Sequence, residues 1–171
     1  MLILDLIDDP AGGELDSPEQ ATAWLAAHGI RVRVSEAGLR SLLDLRGAVS
    51  ELVHAQAGRA QPPTSAVDAV NAASAAASVA PQLNWPAAAR PRMWLATTAD
   101  SEAHARGLVA RAAIELVTGA DRDRLRICAA PGCERVFVSA NPRRRWCSGS
   151  SCGNRVRVAR HAARRRKPAT G

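Results

Sequence analysis

Apolar residues along the first two thirds of the chain recur at intervals of three and four, the spacing that lines up side chains on one face of a helix. Ala21, Trp24, Leu25 and His28 share such a face. Ahead of them, Ser17-Pro-Glu-Gln20 offers a capping serine, a proline suited to the first helical position and a glutamine able to close a capping box. Gly29 is a natural stop. A longer pattern opens at Ser35, where Leu39, Leu42, Leu43, Val49, Leu52 and Val53 form a stripe ending before Gly58. After Gln61-Pro-Pro63, Thr64 is placed to cap a third helix carrying Val67 and Val70 among alanines. Ser101 to Thr118 gives a fourth, with Val109, Ala113, Leu116 and Val117 inward and Gly119 as its cap. The period changes in between. Gln82-Leu-Asn-Trp85 and Arg92-Met-Trp-Leu-Ala-Thr97 read as two short strands flanking a proline-bounded loop. These elements predict four helices with one hairpin.

Nothing in this region groups like a catalytic centre. His28, His54 and His104 are isolated on helical faces and read as structural or surface residues. Asp8-Asp9 reads as a solvated turn, with ligand binding as the alternative. Trp85 and Trp94 read as core packing, with a small-molecule pocket as the alternative.

Composition adds bounds. The 171 residues suit one domain plus a small appendage, and nearly half of the 47% apolar content is alanine, with one Phe and no Tyr, which favours helices over a large sheet. No run is long and apolar enough to cross a membrane. Met1-Leu-Ile-Leu-Asp-Leu-Ile-Asp-Asp9 lacks the basic flank of a signal peptide, so a cytoplasmic location is expected.

The charge is unevenly placed. Residues 1–121 net −5, whereas residues 122–171 net +12, together the +7 of the whole chain. Cys128, Cys133, Cys147 and Cys152 also fall in that last segment. Two modules are therefore expected, 1–122 and 123–171.

The cysteines read C-x4-C, a hairpin-length spacer, then C-x4-C, which matches a closed tetrahedral zinc site. Pro131-Gly132 suits a tight turn that would bring the first two sulfurs to one metal. Arg135-Val-Phe-Val-Ser139 reads as a strand, Ala140-Asn-Pro-Arg-Arg144 as a turn and Arg145-Trp-Cys147 as a second strand. Ser148 or Ser150 can cap a helix over about 151–166. Disulfides would need an oxidising compartment. Four buried free thiols would need a core that so cationic a segment does not supply, and segments this small generally need a metal or disulfides to fold. Zinc is favoured over disulfides and over a redox or iron–sulfur role. The fold class is thus α+β: a mainly helical N-terminal domain with a small β-hairpin, then a treble-clef-like finger of knuckle, hairpin and helix.

Cys128-Ala-Ala-Pro-Gly-Cys-Glu-Arg-Val-Phe-Val138, Arg144-Arg-Trp-Cys-Ser148, Cys152-Gly-Asn-Arg155 and Ala159-Arg-His-Ala-Ala-Arg164 closely resemble the bacterial CGNR zinc finger. In that family the finger follows an N-terminal helical domain, ABATE, of stress-induced transcription regulators, and Asp16 to Gly29 resembles the first helix of that domain. The resemblance implies one structural Zn2+ per chain on Cys128, Cys133, Cys147 and Cys152, together with DNA binding. Two departures stand out. Asp8-Asp9 occupies the place of an Asn-Thr pair, and the turn at Ala140-Asn-Pro142 is shorter than usual.

In the C-terminal helix, Arg157, Arg160, Arg164 and Lys167 recur at intervals of three and four as one cationic stripe, with Arg157, Arg160 and Arg164 expected to contact the nucleic-acid backbone. Val156, Ala159 and Ala163 lie on another side, facing Phe137 and Trp146 of the hairpin. Arg143, Arg144 and Arg145 add a second basic cluster, and these, with Asn154 and Arg155 beside the metal, are further candidate nucleic-acid contacts, Asn154 with shaping the metal turn as the alternative. Four thiolates with one Zn2+ still leave the module near +10, a strong field for a polyanion. Arginine can grip phosphate or a guanine edge with two hydrogen bonds. The expected function is a zinc-dependent, DNA-binding transcription regulator whose N-terminal domain senses a small ligand or mediates association, including homo-oligomerisation. An RNA-binding module and a protein–protein adaptor are the alternatives. No enzyme is expected, since a closed cysteine site leaves no position for water and no nucleophile–base pair is visible.

Overall fold

The computed structural model describes residues 1–8, 15–77, 79–84, 92–97 and 101–166. Asp9, Trp85 and Lys167 lie outside the described residues. The elements run α1 (Leu2–Ile7), α2 (Pro18–Ala27), α3 (Glu36–Gly58), α4 (Thr64–Ala76), β1 (Val79–Asn84), β2 (Arg92–Thr97), α5 (Ser101–Thr118), β3 (Leu125–Ile127), β4 (Val136–Val138) and α6 (Cys152–Arg166).

Local chemistry sets most helix ends. Ser17 has extended backbone and its Oγ accepts from the Gln20 N–H at 3.3 Å, while Pro18 occupies the first helical position. Gln20 does not close back on Ser17; its Oε1 accepts from the Asp16 N–H at 2.9 Å. Ser35 caps α3 by accepting from the Gly38 N–H at 3.0 Å. Glu102 of α5 then ties this helix start to its neighbour, accepting from the Ser35 N–H at 2.6 Å and the Ser35 hydroxyl at 3.2 Å. α3 runs through Gly58 and ends on Arg59 in the left-handed conformation (φ 58°), one residue beyond the expected stop. Thr64 is the first residue of α4 rather than its cap; Pro63 holds the cap position without a side-chain hydrogen bond.

With 23 residues α3 is about 34 Å long and acts as the spine, packing against α1, α2, α4, α5 and the short strands β3 and β4. Its buried stripe is Leu39, Leu42, Leu45, Val49, Leu52 and Val53. Leu45, not Leu43, completes it; Leu43 is 37% exposed. His28 packs its ring on Trp24 at 4.2 Å and donates from Nδ1 to the Trp24 carbonyl, a structural role. A short helix, α1, was not anticipated: Ile3 and Leu6, three residues apart, are both buried in the core. α4 and α5 cross so closely that a Cβ built on Gly107 would stand 1.9 Å from the Ala77 Cβ. β1 and β2 form the expected antiparallel hairpin, with Val79 opposite Thr97 and Asn84 opposite Arg92.

The main core does not stop at the end of α5. Leu125 and Val136 are 1% exposed each and belong to the same cluster as Leu6, Val49, Val53 and Val109, with Val138 packed against it. The cysteine-bearing segment therefore borrows the helical core that it is too small to build.

Candidate metal centre and basic surface

Two strands begin the site: β4, within the strand read over Arg135–Ser139, and β3, in place of the second strand read at Arg145–Cys147. β4 pairs antiparallel with β3, Leu125 opposite Val138 and Ile127 opposite Val136. Arg145-Trp-Cys147 is not a strand: it has no alternation of buried and exposed residues, and its one ladder-like bond is Ala129 N–H to the Arg145 carbonyl at 2.8 Å. Leu125-Arg-Ile127 runs from buried through half-buried to exposed, so Leu125 enters the core while the strand delivers Cys128 to the site.

From Cys128 the chain turns back at once. Cys128 N–H donates to the Arg135 carbonyl at 2.9 Å and Cys133 N–H to the Ala130 carbonyl at 3.0 Å. Pro131 and Gly132 fill the two central positions of that turn, and Gly132 takes the positive φ of 69° that a side chain would disfavour. The third cysteine is held by Arg144. Its guanidinium donates to the carbonyls of Trp146 and Cys147 and lies 5.0 Å from the centre of the Phe137 ring. The fourth opens α6: Ser148 accepts from the Ser151 N–H through its hydroxyl at 3.2 Å and from the Gly153 N–H through its carbonyl at 2.8 Å.

These supports bring all four sulfurs within 4.8 Å of one another. The Cys133–Cys147 and Cys147–Cys152 separations are 3.9 and 3.6 Å. A tetrahedron with metal–sulfur bonds of about 2.3 Å has edges of about 3.8 Å. A disulfide would need about 2.05 Å, and all four cysteines are free. Cys128 and Cys152 are buried, with Ala130, Phe137, Trp146 and Val156 packed around the sulfurs. The donor set and its spacing fit one structural zinc ion.

The sulfurs also receive hydrogen bonds of the kind that orient metal ligands. Cys147 N–H donates to Cys128 Sγ at 3.4 Å, and Arg155 Nη2 donates to Cys152 Sγ at 3.5 Å. Burial opposes ionisation of Cys128, but the backbone N–H groups of Cys147 and Ala130, together with hydrogen bonds from the Cys133 and Cys147 thiols, outweigh it and bring the thiol down to about 7. Burial and the neighbouring thiols push Cys147 up to about 12, and burial raises Cys133. The thiols therefore differ in readiness to ionise, and a bound divalent cation would favour the thiolate at each. Among the described residues these four cysteines are the one group of metal-ligating side chains.

The basic residues divide into two sets. Arg144, Arg155 and Arg157 are exposed but hydrogen-bonded back to the finger, Arg157 through Nη2 to the Gly149 carbonyl at 3.1 Å. Arg143, Arg145, Asn154, Arg160 and Arg164 are exposed, and their side chains donate to no partner among the described residues. The sequence places Arg155 beside the metal, but a run of arginines gives no sign that Arg144 is the one that turns back. α6 also departs from expectation. Val156 packs on the metal cluster, but Ala159 and Ala163 are exposed, as is every residue from Arg157 to Arg165. The hairpin covers only the first turn of α6, so the rest projects from the finger with all sides open.

Two family models match the chain. ABATE, described as "Putative stress-induced transcription regulator", matches residues 2–120, and the CGNR zinc finger matches residues 124–165. Neither is an enzyme family. No curated protein matches the chain.

Proposed function

Because the chain belongs to the ABATE family and ends in a CGNR zinc finger, we propose that it is a zinc-dependent, DNA-binding transcription regulator of the bacterial cytoplasm. In this reading residues 1–122 form a body that senses a small ligand or mediates association, and residues 123–171 form the finger. Cys128, Cys133, Cys147 and Cys152 hold one zinc ion, which supplies folding free energy of roughly 10–16 kcal/mol and fixes the base of α6.

The observation that carries the reading is α6 itself: a 15-residue helix anchored at Cys152, rich in arginine and exposed from Arg157 to Arg165. At about 22 Å long it suits the major groove of duplex DNA, which is about 12 Å wide and admits a helix. Arg157, Arg160 and Arg164 lie on one stripe, with Arg143 and Arg145 on the neighbouring loop. Most such contacts go to phosphate and set position rather than sequence.

Duplex DNA is favoured over single-stranded RNA by the state of the aromatics. Phe137 is 8% exposed and lies under Arg144, and Trp146 packs against the metal cluster. Neither stands free as a platform for stacking bases.

Fluorescence anisotropy of the zinc-loaded chain on duplex DNA across a salt series tests the reading. Four to six phosphate contacts give a log–log slope of about −4 to −6. Binding that ignores salt would remove the nucleic-acid reading and favour a protein–protein adaptor.

A further inference from the structure

An open cleft of about 400 Å3 lies where the helical body meets the cysteine knuckle. Ile7 and Asp8 at the end of α1, Ser50 and His54 of α3, and Gly132, Glu134 and Arg135 of the knuckle line it. Its size is within the range of about 300–1,000 Å3 usual for small-molecule sites, which favour such seams between units.

The charges in this cleft are unusual. Asp8 is half-buried, and its carboxylate accepts no hydrogen bond and forms no ion pair among the described residues. Burial pushes its carboxyl above the ordinary value, against the opposing fields of Arg135 and His54. The Arg135 guanidinium likewise donates to no partner among the described residues. Two opposite charges thus line one cavity without touching. His54 does not fill the gap, because both its ring nitrogens are occupied by carbonyl oxygens, Ser50 at 2.8 Å and Glu134 at 3.0 Å.

This pattern selects among ligand types. A simple anion placed at Arg135 would meet Asp8 and Glu134. A simple cation placed at Asp8 would meet Arg135. A molecule carrying both charges satisfies both ends. The geometry points to a binding site for a small zwitterion of the α-amino acid class, with its ammonium on Asp8, its carboxylate on Arg135 and its side chain toward Ile7. The inference rests on the reading of the body as a ligand sensor and locates the sensor at the seam, where one bound molecule would bridge α1 and the knuckle.

The test uses the zinc-loaded full chain without DNA. Standard α-amino acids are titrated one at a time by isothermal calorimetry. At least one should give saturable binding, and its methyl ester and its N-acetyl derivative should each bind roughly tenfold to a hundredfold more weakly, the cost of one lost charged hydrogen bond. Asp8→Asn and Arg135→Gln should weaken binding by a similar factor, while both unliganded variants melt no lower than the parent. No saturable heat from any amino acid overturns the proposal, as does equal binding of the blocked derivatives. Since DNA is absent, that failure would leave salt-dependent DNA binding untouched. Loss of DNA binding with amino acid binding intact would instead overturn the regulator reading alone.

Discussion

His54 on α3 reaches the backbone of Glu134, 80 residues further along, and donates from Nε2 to its carbonyl oxygen at 3.0 Å. Its Nδ1 faces the Ser50 carbonyl at 2.8 Å. The Ser50 hydroxyl also lies 3.3 Å from Nδ1, so the ring is held at both nitrogens. The imidazole therefore staples the knuckle, one residue past Cys133, to the spine of the helical body.

Replacing His54 with Ala should cost about 1 kcal/mol, the net value of a partly exposed hydrogen bond. The loss should be local. Hydrogen exchange should speed up at the knuckle amides of Cys128 and Cys133 while the amides of α5 are unaffected. Unchanged exchange at the knuckle would mean that the staple holds nothing.

Zinc removal separates what the metal holds from what the core holds. Leu125 and Val136 are buried with Val49 and Val109, so β3 and β4 should survive a chelator while α6 and the segment 139–151 lose order. Circular dichroism should fall by the helical signal of about one 15-residue helix. Collapse of the whole helical signal on chelation would show that the body depends on the metal too.

Arg155 and Arg160 should part company on substitution. Arg155 donates to Cys152 Sγ, so Arg155→Gln should lower zinc affinity by roughly tenfold, the low end for a residue that supports a metal ligand. Arg160→Ala and Arg164→Ala together should leave zinc untouched and flatten the DNA salt slope by about 1.8, two phosphate contacts. A competition assay with a chromogenic chelator and the salt series read the two effects. Identical behaviour of both sets would erase the division of the arginines.

Gly107→Ala should destabilise the body by about 1–3 kcal/mol, because the new methyl overlaps Ala77 where α4 and α5 cross. Ala77→Gly in the same chain should restore part of the loss, read by chemical denaturation. Tolerance of Gly107→Ala alone would show that the crossing is looser than its geometry.

What was legible in the sequence was local. Ser17 and Ser35 cap their helices with hydroxyls that act three residues away, and Pro131-Gly132 closes the knuckle within six residues. The four cysteines point to a metal by their spacing together with the turn and hairpin segments between them. What escaped depends on distant partners. α1 spans only six residues, too few for a period to show, and is helical because Ile3 and Leu6 find a core elsewhere in the chain. β3 is three residues long and reads as a strand only once β4 lies beside it. Ala159 and Ala163 keep the right helical spacing for packing, but the hairpin ends before it reaches them. The inward turn of Arg144 follows from Phe137 and the Cys147 carbonyl, not from its arginine neighbours.

The shared core also limits how this finger can be moved. A graft taken from residue 124 onward would carry Leu125 and Val136 to its new host as bare oily surface, with α3 left behind. Transplantable recognition would need the spine helix to travel with the cysteines. In the native chain the direction in which α6 points is inherited from α3, so a shift in the body re-aims the arginines without touching one of them.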